Sequence, residues 1–134
     1  MSISASGSNI TKSSNSIELF RGQSKDLELT ITQVEDGEES ALDLTGSTVY
    51  FTLKKKPGDA VALVSKTSAS ALDIEILSPA EDGIAKIYIN PLDTSGLEAD
   101  KYFFDVWVKL SSGKRFPVIE VSDFIIKEPI TVVT

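Results

Sequence analysis

From residue 17 onward the chain is written in short stretches in which apolar and polar residues alternate. In KDLELTIT, Leu27, Leu29 and Ile31 point one way while Asp26, Glu28, Thr30 and Thr32 point the other, the period of two expected of a strand with one wet face. STVYFTLK repeats the pattern, with Val49, Phe51 and Leu53 against Thr48, Tyr50, Thr52 and Lys54. IAKIYIN does so again, with Ala85, Ile87 and Ile89 against Lys86, Tyr88 and Asn90. These runs are rich in β-branched and aromatic residues and are bounded by Gly, Asp, Pro and Ser clusters. Strands are predicted near residues 17 to 21, 25 to 33, 47 to 55, 72 to 77, 84 to 90, 101 to 110 and 115 to 127, with a short optional strand over 61 to 66. Asp36-Gly37, Pro57-Gly58-Asp59, Glu81-Asp82-Gly83 and Ser111-Ser112-Gly113 supply the turns, each offering a Gly for positive φ or a side chain that closes a turn. No segment sustains a 3.6-residue apolar period, and NPLDTSGLEAD has room for one helical turn at most.

About seven short strands at this spacing predict an all-β fold, an antiparallel immunoglobulin-like β-sandwich. A small closed barrel is the alternative. In the sandwich, EADKYFF reads as the approach to the sixth strand, where Tyr102 can send its hydroxyl back to the backbone as a tyrosine corner. Phe104 then stands where disulfide-bonded members of that architecture carry Cys. The sandwich is expected over residues 17 to 128, after an extended, flexible Ser-rich N-terminal arm over 1 to 16 and before a C-terminal tail over 129 to 134. The length of 134 residues suits one such domain.

One strand breaks the simple pattern. In KYFFDVWVKL, Tyr102, Phe104, Val106, Val108 and Leu110 make an inward row, yet the opposite row, Lys101, Phe103, Asp105, Trp107 and Lys109, sets two large aromatics among charges. In an immunoglobulin-type order the third, sixth and seventh strands share a sheet. Tyr50, Phe103 and Trp107 are therefore expected together on its outer face. Exposed aromatic clusters are uncommon on monomers, and aromatics most often carry interface energy, so these three are the candidate interface. Cover by a loop, by the arm or by the hairpin around Pro57 is the competing reading.

Composition narrows the chemistry. The chain has no His and no Cys, which removes the usual general base near neutral pH, the most frequent metal ligand, thiolate zinc sites, thiol catalysis and disulfides together. We expect no enzyme, no catalytic residue, no cofactor, no metal and no small-molecule substrate. The net charge of −7 argues against nucleic acid, whose phosphates require Lys and Arg. Lys54-Lys55-Lys56, before Pro57-Gly58, reads as a solvated strand end. No run approaches about 18 consecutive apolar residues, and the N-terminus lacks a basic region followed by an apolar one, so neither membrane nor secretory signal is expected.

Several of these stretches occur in a familiar order. IELFRGQSKDLELTI, then LDLTGSTVYFTLKK, then GIAKIYINPLDTSGLEADKYFFDVWVKLSSGKRFPVIEVSDFIIKEPIT resemble the immunoglobulin-like domain of bacteriophage virion proteins, in particular the N-terminal domain of the phage baseplate upper protein family. The marks are Arg21-Gly22 after an apolar strand, Leu44-Thr45-Gly46 before Val49 and Phe51, Asp93-Thr94 before Leu97, and Tyr102 to Asp105. The resemblance covers roughly residues 17 to 131. It implies a non-enzymatic structural component of a virion, assembled in the bacterial host cytoplasm, that attaches to tail, baseplate or neck proteins. The sequence differs from the baseplate upper protein in showing no long C-terminal region, which brings capsid decoration, as a cement or head-fibre protein, into consideration. Partners are then other virion proteins or further copies of the chain.

Three further features suggest sites. Ile3 and Ile10 are isolated apolar points in the arm, suited to pairing with an exposed sheet edge of a neighbour. Glu35, Asp36, Glu38 and Glu39 crowd one loop but lack the spacing of a calcium loop, and Glu81-Asp82, Asp93 and Glu98 to Asp100 give no sign of converging as a hydrolytic pair. Tyr50, Tyr88 and Trp107 could stack on sugars with Asp105 or Asn90 as polar anchors, which would make the chain a carbohydrate-binding module; Tyr88, however, is expected on the other sheet.

Overall fold

A computed structural model of the chain describes residues 2 to 7 and 16 to 133, the first of these as backbone. They form ten strands in two sheets. One sheet has the order β1 (Ser2–Gly7), β3 (Lys25–Glu35), β8 (Ile84–Ile89) and β7 (Ile74–Ile76), with β4 (Glu38–Ala41) also paired to β3. The other runs β2 (Ile17–Phe20), β10 (Arg115–Lys127), β9 (Asp100–Lys109), β5 (Thr48–Lys54) and β6 (Val64–Thr67). All pairings are antiparallel except that of β2 with β10. The fold is an immunoglobulin-like β-sandwich. It is no barrel, because β6 and β7 end their separate sheets.

The seven expected strands correspond to β2, β3, β5, β7, β8, β9 and β10, and the optional strand to β6. Two others were not expected. β4 forms because Asp36 and Gly37, with φ of 53° and 80°, make the tight turn that returns the chain along β3. β1 differs from the flexible arm expected over residues 1 to 16: it pairs with β3 of its own chain from Ser2 opposite Val34 to Gly7 opposite Leu29. A polar stretch can do this because backbone hydrogen bonding needs no apolar side chain. Residues 129 to 133 follow β10 without regular structure.

The alternation places the core where it should be. Leu27, Leu29 and Ile31 of β3 and Ala85, Ile87 and Ile89 of β8 face Val49, Phe51 and Leu53 of β5 and Phe104, Val106 and Val108 of β9, all buried. At the centre the rings of Phe51, Phe104 and Phe124 meet with centroids 5.6, 6.3 and 6.1 Å apart. Aromatic contacts at these separations add about 0.5–1.5 kcal/mol per pair beyond area burial. All three rings come from the sheet of β5, β9 and β10, whose inner face they cover at the core without a disulfide.

Local devices fix the strand ends. The Tyr102 hydroxyl donates to the Glu98 carbonyl at 2.7 Å, which is the expected tyrosine corner. The expected helical turn is α1 (Pro91–Thr94), with Pro91 in its first position and the Asp93 carboxylate accepting the Asn90 N–H at 2.8 Å. Asp93 also reaches across to the buried Lys66 ammonium at 2.9 Å, so β6 is tied to the turn before β9. Gly83 has φ +72°, and a Cβ there would lie 2.5 Å from the Ile31 carbonyl. Only Gly lets β8 begin so close to β3.

Candidate interaction surface

The register of β5, β9 and β10 puts the unexpected aromatics side by side. Tyr50 is the direct partner of Trp107, Thr52 of Asp105, and Lys54 of Phe103. Because strand side chains alternate, all six lie on the outer face, and they line one groove of about 540 Å³. Tyr50 and Trp107 remain 40% and 39% exposed. The sequence-based grouping of Tyr50, Phe103 and Trp107 is thus present in space.

One polar pair of the groove is satisfied within the chain. Trp107 Nε1 donates to Asp105 Oδ2 at 3.0 Å, so the indole presents mainly apolar surface to any visitor. Lys101 lies with its ammonium 5.4 Å from the centre of the Phe103 ring, a cation–π arrangement at the rim. Beside it, Asp100 bonds to Lys55. Hydrogen bonds from the Lys55 ammonium and the Lys101 N–H, with the Lys55 charge, hold the Asp100 carboxyl below its ordinary pKa. The rim is charged and the floor is aromatic, the pattern of a protein-binding patch.

Pro57, Arg115 and Val121 also line the groove, and the last two escaped the sequence reading. Pro57 belongs to the hairpin expected as possible cover; it forms one wall and leaves Tyr50 and Trp107 accessible. Val121 gets there by irregularity. β10 loses step with β9 between Pro117 and Ile119 and again between Ile119 and Ser122, and these bulges leave Val121 54% exposed. The signal was in FPVIEVSDF: an internal Pro, followed by the adjacent apolar pair Val118 and Ile119, cannot belong to one uninterrupted alternation.

The magnitude of what this face can contribute is bounded. Full burial of a large apolar side chain is worth roughly 1.5–3 kcal/mol. Tyr50 and Trp107 are already more than half buried, so covering each adds about 1 kcal/mol or less by area. Association costs several kcal/mol. By this measure the groove could supply an anchor within a wider contact but not a complete interface.

The remaining candidates separate. Ile3 stands in β1 at the register position of Gln33, and Ile10 lies outside the described residues. Tyr88 is on the other sheet, as expected, with its hydroxyl donating to Glu75 at 2.7 Å. Asn90 lies beyond the end of β8, at the start of α1. Sugar-stacking through Tyr50, Trp107 and Tyr88 together is thus not available on one face. Glu35 and Glu38 face each other across the exposed β3–β4 hairpin. Asp93 and Asp100 are engaged with Lys66 and Lys55. Among the described residues no group of three or more acidic side chains could hold a metal ion. None of their helices is long and apolar enough to cross a membrane.

No family model and no curated protein matches the chain. Among solved structures it is similar to murine CRIg, at 10% sequence identity over 95% of this chain and 99% of that one, with a TM-score of 0.45. The immunoglobulin-like assignment rests on the strand order and registers described above.

Proposed function

We propose that the chain is a non-enzymatic attachment module of a bacteriophage virion, which docks on tail, baseplate or neck proteins through the outer face of β5, β9 and β10. The observation that carries the attachment reading is the groove floored by Tyr50, Phe103 and Trp107, with large aromatic side chains left accessible on the outer face of the sheet. The virion setting is supported by the order and spacing of the Arg21-Gly22, Leu44-Thr45-Gly46, Asp93-Thr94 and Tyr102 to Asp105 signals. A contact of roughly 1,200–2,000 Å² is needed for stable association, so the groove acts with surrounding surface or through several copies at once.

The test is co-sedimentation of the purified protein with tail and capsid fractions of the phage that encodes it. Wild-type protein should travel with tails or baseplates and Trp107→Ser should not. Travel with heads instead would assign it to capsid decoration. Equal binding of wild type and Trp107→Ser would discard the aromatic face as the attachment site. Specific sugar binding by the monomer on a glycan array, without binding to either fraction, would replace attachment with carbohydrate recognition.

A further inference from the structure

The side of β3 occupied by β1 is built without β1. Along its opposite side β3 pairs with β8 from Lys25 to Thr30 and with β4 from Thr32 to Glu35. The two partners meet at Ile31, whose N–H donates to the Gly83 carbonyl at 2.8 Å and whose carbonyl accepts from the Leu42 N–H at 2.9 Å. Residues 29 to 34 are thus held as a straight acceptor edge from the far side. The next strand along the chain, β2, is secured separately: it pairs with β10 in the other sheet and buries Ile17 and Leu19. The intervening residues 8 to 15, SNITKSSN, are polar apart from Ile10. β1 can therefore come away without removing either neighbour from its place.

β1 itself, SISASG, is poor in apolar residues. Its backbone pairs with β3 in one register, which any chain of the same sequence reproduces. An edge left open would expose a row of unpaired N–H and C=O groups, so whatever strand is at hand fills it. A second copy supplies one that already fits.

We propose that β1 is exchanged between two copies of the chain, with Ser2–Gly7 of each filling the β3 edge of the other in the register seen within a single chain. The exchange replaces each backbone contact by an identical one. Its balance is then set by protein concentration and by the span of residues 8 to 15, the general condition for swapping an identical element. The aromatic groove is on the other sheet, so this association does not depend on the attachment reading.

The chain has no Cys, which permits a direct test. Ser6 and Thr30 are register partners, and opposed residues of an antiparallel pair have Cα atoms about 4.5–5.5 Å apart, within the range a disulfide closes. Full-length Ser6→Cys and Thr30→Cys chains are mixed, unfolded, refolded together at rising concentration, oxidised and run on a non-reducing gel. The expected result is a covalent heterodimer whose yield rises with concentration. Ser6→Cys mixed with Lys114→Cys, whose Cys lies on a remote exposed turn, gives the background. Heterodimer no more abundant than that background overturns the proposal. So does a Ser6→Cys/Thr30→Cys double variant that closes only within its own chain at every concentration.

Discussion

The two sheets share one core but present opposite outer surfaces. On β3, β8 and β7 the outward residues include Asp26, Glu28, Lys86, Tyr88 and Glu75, with Lys86 4.0 Å from Asp26 and the Tyr88 hydroxyl bonded to Glu75. On β5 and β9 the outward residues include Tyr50, Phe103 and Trp107. The charged face resolves its side chains within the chain and in water. The aromatic face leaves large apolar groups accessible, which folding alone does not require. What differs is therefore the feature to assign to function, while the shared inner rows belong to stability.

The strongest way to break the comparison is to remove what both faces stand on. Phe104 touches both Phe51 and Phe124 and is buried. Phe104→Ala should lower the free energy of unfolding by about 3–5 kcal/mol. Urea unfolding followed by Trp107 fluorescence and by far-ultraviolet circular dichroism should show one coincident, earlier transition. Separate transitions for the two probes would mean that the aromatic sheet can come apart by itself.

The next change makes one face resemble the other. Trp107→Lys places a charge where β9 carries its exposed indole. Partner binding should fall at least tenfold, about 1.4 kcal/mol or more, because the loss of the indole contact is joined by the cost of desolvating the new ammonium, while stability moves by no more than about 0.5 kcal/mol. Titration against the co-sedimenting fraction, beside a urea curve, separates the effects. A stability loss as large as the binding loss would return Trp107 to the structural residues.

How much of this was legible beforehand follows from which physical signal each part uses. Period-two alternation is local, so β3, β5, β8 and β9 could be read directly, and the outward row of β9 exposed Phe103 and Trp107 as out of place. Adding Tyr50 needed the strand order that the immunoglobulin-type reading supplied. β1 could not be read because its pairing is backbone hydrogen bonding to β3, which leaves little trace in SISASG. Val121 was hidden by bulges, since these show as a broken pattern without stating which side the displaced residue takes. Lys66 was hidden too: its neutralising partner Asp93 is remote in sequence.

A smaller change tests how firmly the aromatic row is aimed. The Tyr102 corner fixes the start of β9 and hence which of its residues look outward. Tyr102→Phe removes one hydrogen bond and keeps the ring, so it should cost about 1 kcal/mol in urea unfolding. Backbone amide shifts should change near Glu98 and Tyr102 and fade before Trp107. Displacement of the Trp107 signals would show that the corner, and not cross-strand register alone, positions the groove.

The smallest effect belongs to the charged face and appears only in alkali. The bond from the Tyr88 hydroxyl to Glu75, followed by local desolvation and the negative charges of Glu75 and Asp26, raises the Tyr88 pKa above its ordinary value near 10. Folding therefore favours the protonated phenol. That contribution is fully present below the unfolded pKa and is lost as the pH rises through the higher folded one. Glu75→Gln keeps an acceptor but removes the charge. In a titration followed by carbon shifts of labelled tyrosine, the Tyr88 midpoint should move down toward 10 and the alkaline loss of stability attributable to it should shrink. Partner binding at neutral pH should stay at the wild-type level, because nothing on this face contributes to the groove. A fall in binding with Glu75→Gln would show that the two faces are not independent, and would remove the ground for assigning function to one of them.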